Sequence, residues 1–109
     1  MNVVVLRGTI SSEPHERTLP SGVNVLNWDV NCAEVPGSVP VQWDDPPNAA
    51  LAFGDGDEVV VSGVVRRRFF RAGGITASRT EVLADRAAKP TQKVAVRRLL
   101  DSATEHLAD

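Results

Sequence analysis

The chain has 109 residues, a mass of 11.7 kDa and a net charge of −2. That length accommodates one domain with a small core, and 42% hydrophobic with 24% charged residues is globular composition rather than disorder. No apolar run approaches the ~18 residues that cross a bilayer, residues 3–6 are too short for a signal-peptide core, and one cysteine makes no internal disulfide, so a reducing cytoplasm is the expected compartment.

Residues 2–10 alternate loosely and are rich in valine, which predicts a strand. Residues 11–14 and 19–22 carry turn signals, the second ending in Gly22. Residues 23–32 place Leu26, Trp28, Val30 and Cys32 on one face and Asn27, Asp29 and Asn31 on the other, the pattern of a half-buried antiparallel strand. Two prolines and a glycine make residues 34–40 a loop, and residues 41–43 a short strand. Asp45 then precedes Pro46 and Pro47, and is expected to cap one or two helical turns over 48–53.

After a turn at 54–57, residues 58–71 form the longest strand candidate, with Gly63 marking a bulge or bend as at a barrel corner. Residues 72–74 are a hairpin turn and 75–84 the returning strand. Over residues 91–107 the period changes: Val96, Leu99, Leu100, Ala103 and Leu107 share one helical face. Five strand candidates, a short helix before the fourth and a bent long strand fit a small β-barrel. The expected division is a β domain over 1–90 and a C-terminal helix over 91–109.

Catalytic and metal chemistry find little support. One cysteine and two distant histidines, His15 and His106, do not make a zinc site. Cys32 is in phase with core residues, which makes it packing before nucleophile. Asp44 and Asp45 read as a turn and a cap, and Gly54-Asp55-Gly56-Asp57 lacks the length and closing glutamate of a calcium loop. No enzyme, metal or cofactor is expected.

A net charge of −2 by itself argues against a polyanion partner, but the charge is segregated. Residues 44–58 hold five acids and no base, whereas 66–79 hold five arginines and no acid. The strongest signal is Arg66-Arg67-Arg68-Phe69-Phe70-Arg71. Alternation puts Arg66, Arg68 and Phe70 on one face and Arg67, Phe69 and Arg71 on the other, in phase with Val59, Val61 and Val65. Phe69 is therefore expected to cap the core edge while Phe70 projects between cations. An exposed ring beside arginines suits single-stranded nucleic acid, because any base stacks on the ring and guanidinium neutralises phosphate. The alternative is a ring packed on the C-terminal helix or a subunit, beside a merely solvated basic edge. Trp43 is open to two readings, a second stacking platform or a core residue. Arg7 and Arg79, on neighbouring strands, widen the basic face.

Four segments resemble the bacterial single-stranded DNA-binding proteins, which are oligomeric OB-fold proteins. Asn2 to Ile10 is similar to their opening strand, Glu13 to Gly22 to their first hairpin, and Asn27-Trp28-Asp29-Val30 to their aromatic core strand. Phe53 to Phe70, then Thr80-Glu81-Val82, is similar to their bent basic–aromatic strand and last strand. The resemblance implies a five-stranded OB-fold barrel with a short helix before the fourth strand, to which this chain's own periodicity adds the C-terminal α-helix. It further implies sequence-tolerant binding of single-stranded DNA (RNA being possible) by a homodimer or homotetramer at the nucleoid. Phe70 and Trp43 match stacking positions, Arg66 and Arg68 match backbone-contacting ones, and Arg7, Arg71 and Arg79 complete the expected set. The chain departs from the family in its short 34–40 loop and in a helix where the family has a long acidic-tipped tail. A protein-interaction module similar to the primosomal replication proteins, using the C-terminal helix, is the alternative.

Overall fold

Valine-rich segments, several of them alternating apolar with polar residues, give much of this chain an extended backbone. The computed structural model describes residues 1–108. Its elements are β1 (Val4–Ile10), β2 (His15–Thr18), β3 (Asn24–Asn31), β4 (Ser38–Asp44), a 3-10 helix (Asn48–Ala52), β5 (Glu58–Ala72), β6 (Ile75–Ala88) and α1 (Lys93–Leu107). The chain is thus mostly β, with one six-stranded sheet and a C-terminal helix.

Strand order is β1-β5-β6-β4-β3-β2, and β1 also pairs with β3 through Thr9 and Ile10. The pairings therefore run in a circuit, antiparallel throughout except for β4 beside β6 at Val41–Val82 and Gln42–Leu83. The circuit encloses Ile10, Leu26, Trp28, Val30, Val41, Trp43, Val59, Val61, Val82 and Ala84, all buried, with Ala50 and Phe53 entering from the 3-10 segment. Trp28 is its centre, 5.3 Å from the Phe53 ring and 6.1 Å edge-on to Trp43. Cys32 joins this cluster; burial first, then the Glu34 carboxylate, raises its thiol pKa above the usual range.

Several local expectations are corrected. β2 was invisible to patterning because its four residues, His-Glu-Arg-Thr, are all exposed. β4 starts at Ser38, not Val41: Pro40 is tolerated because the β6 pairing begins only at Val41. Asp45 does not cap the 3-10 helix. Its φ of 53° turns the chain left-handed, its N–H donates to the Asn24 carbonyl, and Pro47 holds the cap position with no side-chain bond.

β6 continues to Ala88. Alternation fails after Ala84 because Asp85 is an extra residue: Ser62 pairs with Arg86 but Gly63 with Ala84. The bulge thus lies on β6, opposite the glycine expected to carry it. It brings Ala84 and Ala87, three apart, against the same core, and the Ser62 hydroxyl donates to Asp85 at 2.7 Å. Gly63 is required for a different reason. A Cβ there would be driven into the Leu83 carbonyl oxygen and lie 3.0 Å from the Ala84 Cα.

Helix α1 packs on its own β5, β6 and β1. Only Leu99 and Ala103 of its apolar face are buried, while Leu100 and Leu107 stay about half exposed. Val60 and Ala88, paired with each other across β5 and β6, are buried as well.

Candidate nucleic-acid interface

β1 leaves β5 at Gly63, and β4 meets β6 only at Val82 and Leu83. Beyond those points β5 and β6 pair with each other alone, from Arg66–Glu81 to Ala72–Ile75, as a two-stranded arm. Gly73 and Gly74 close it with φ of 58° and 81°, the left-handed pair that a two-residue hairpin turn requires.

Register assigns the two faces of the arm. Arg66 stands opposite Glu81, Arg68 opposite Arg79 and Phe70 opposite Ala77, all on one face. Arg67, Phe69 and Arg71 stand opposite Thr80, Ser78 and Thr76 on the other. Phe70 is 44% exposed. Phe69 does not cap the core: it is 66% exposed, because the arm has left the body and that face no longer meets a core. The Arg67 guanidinium lies 5.6 Å over the Phe69 ring, and Arg67 also donates to Ser78. Arg71 donates to the Gly74 carbonyl at 3.1 Å, bracing the turn.

On the Phe70 face, Arg68 and Arg79 line a groove of about 410 Å³ with His15 and Arg17 of β2, Asn27 and Asp29 of β3, and Ser12 and Glu13 before them. Three guanidiniums and two carboxylates thus border it, and the Ser12 hydroxyl donates to Asp29 at 3.1 Å. His15 and Arg17 were missed from the sequence; the signal was two polar, nitrogen-bearing side chains two residues apart before a turn, with no apolar partner to mark a strand.

Arg66 and Arg68 are not free cations. The Glu81 carboxylate, 1% exposed, accepts a 2.9 Å hydrogen bond from Arg66 Nη2. Arg68 Nε lies 3.1 Å from the same oxygen, an ion contact without hydrogen-bond alignment. Glu81 Oε2 is buried with no partner.

Three expected site residues lie off this face: Arg71, on the opposite face of the arm and bonded to Gly74, Trp43 and Arg7. Trp43 is only 8% exposed and its ring is in the core against Trp28, so it offers no stacking face. Its remaining edge borders a separate groove beside α1, with Arg86, Lys93 and Arg98. Arg7 is exposed on β1 opposite Val60, eight residues before Arg68 along β5. Nothing brings it to the arm, since eight extended residues span roughly 26 Å.

Among the described residues, no cluster of three histidine, cysteine or acidic side chains could hold a metal ion, and no helix is long and apolar enough to cross a membrane. No protein-family model matches the chain, and no match is found among curated proteins.

Proposed function

We propose that this chain is an OB-fold domain of the single-stranded DNA-binding type, gripping an unpaired strand between the β5–β6 arm and the β2–β3 hairpin. The observation that carries the proposal is one face of the arm, where half-exposed Phe70 shares a face with Arg68 and Arg79, which line a groove with Arg17. A single strand laid there stacks a base on Phe70 and places phosphates on the guanidiniums. The circuit of strands supports the fold assignment. Five strands close on one another with a single parallel pair, a short helix precedes the fourth, and hairpins flank one face, where OB folds take oligonucleotides. An arm with large apolar side chains exposed on both faces is consistent with an oligomer, and the nucleoid is the location that such a partner implies.

A second reading, docking of a partner protein on α1, draws on Val94, Leu100 and Leu107, which the helix leaves 68%, 45% and 48% exposed.

The test is anisotropy of a fluorescent oligo-dT of about thirty bases, against its duplex. Counting Arg17, Arg79 and one net charge from the Arg66–Arg68–Glu81 group gives about three neutralised phosphates, hence a salt slope near −2. Affinity should then fall about 20-fold between ~50 and ~200 mM salt, with the duplex bound far more weakly. Equal affinity for duplex, or a flat salt response, would refute the proposal. An RNA oligomer of the same length reports on the second nucleic acid.

A further inference from the structure

We infer that Glu81 is a positioning residue and built-in counter-charge, fixing Arg66 and Arg68 side by side while withholding one of their two charges from the strand. The inference rests on the nucleic-acid reading above and deepens it.

Register alone makes Glu81 necessary. Arg66 and Arg68 are two residues apart on one strand face, and Arg79 is directly across from Arg68. Three guanidiniums so placed repel one another and disfavour the pairing. The sole acid on this face of the arm is Glu81, opposite Arg66. A carboxylate at 1% exposure is costly to bury unless it is paired. Here both arginines converge on one of its oxygens, at 2.9 and 3.1 Å.

The geometry has two consequences. The side chains stay 31% and 41% exposed, so the guanidiniums remain reachable from outside while their inner sides are tethered. Two arginines held by one carboxylate present one net charge. The strand therefore meets a preorganised but muted cation pair, which moderates affinity without surrendering alignment.

Glu81→Gln keeps the shape and an accepting oxygen but removes the charge. The group then counts as two phosphate contacts rather than one. The salt slope steepens by about 0.7, and oligo-dT binds about eight-fold more tightly at ~50 mM salt but only about three-fold more tightly at ~200 mM. A merely structural glutamate would change the melting temperature and leave the slope alone. The double variant Arg66→Gln/Glu81→Gln restores a net single charge and should recover the wild-type slope. It also provides a decision if the single variant does not fold. An unchanged slope in folded Glu81→Gln, or a slope shallower by about 0.7 in the double variant, would overturn the inference while leaving the binding proposal intact. Binding by none of the three proteins would overturn both. Binding by Glu81→Gln alone would support the counter-charge and overturn the binding proposal for the native chain.

Discussion

Phe69 and Phe70 are adjacent, identical and both exposed, so their separate replacement by alanine isolates position from chemistry. Phe70 is 44% exposed on the face of Arg68 and Arg79; Phe69 is 66% exposed on the opposite face. One side of the Phe69 ring is already occupied by Arg67 at 5.6 Å. Losing one base stacked on a ring costs roughly 1–3 kcal/mol, about 5- to 150-fold in Kd. Phe70→Ala should weaken oligo-dT binding within that range. Phe69→Ala should change it by less than about three-fold, because its ring faces away from the groove. Stability separates the two little. Full burial of a phenylalanine contributes about 1.5–3 kcal/mol. Phe70, roughly half covered, then contributes about 1 kcal/mol and Phe69 less, a fall in Tm of no more than about 8 °C for either. Fluorescence anisotropy and thermal melts of the two variants check both quantities. A Phe69→Ala variant that binds as poorly as Phe70→Ala would refute the assignment of the binding face, and one that loses far more stability would return Phe69 to the core.

Two further outcomes follow from the body of the fold. Gly63→Ala drives a methyl group against the Leu83 carbonyl and the Ala84 Cα, both backbone and unable to swing aside. It should cost at least the ~1–3 kcal/mol of an overpacked core, lowering Tm by about 5–20 °C in a thermal melt; a wild-type Tm would show that the β6 backbone does not crowd this position. The buried Cys32 thiol, its pKa raised by burial and then by Glu34, should resist a thiol-reactive dye at neutral pH until the chain is unfolded. Because the folded pKa is raised, this thiol's contribution to stability is full below the unfolded pKa and is lost as pH rises through the folded one. Alkaline melts of wild type and Cys32→Ala should therefore diverge in slope only above the ordinary thiol range, and parallel curves there would refute it.

Alternation by itself determined which residues share a strand face. It set Leu26, Trp28 and Val30 together inward, separated Phe70 from Phe69, and changed to a helical period at the C-terminus. These are local properties: the pleat repeats every two residues and the helix every 3.6 whatever lies beyond them. What covers a face is not local, and there only the tertiary structure decided. Phe69 is in phase with Val59 and Val61 but exposed, because the arm outruns the core. Trp43, near the end of its strand, is open in sequence to a surface or a core reading, yet it is buried edge-on to Trp28. β2 has no apolar face and exists only through its pairing with β3, which is what brings Arg17 to the groove. Glu81 lies fifteen residues from Arg66 in the chain and directly opposite it across the ladder. Charge is additive along a sequence, but an ion pair depends on distance, and that distance was set by a turn of two glycines and the unbroken register that runs back from it.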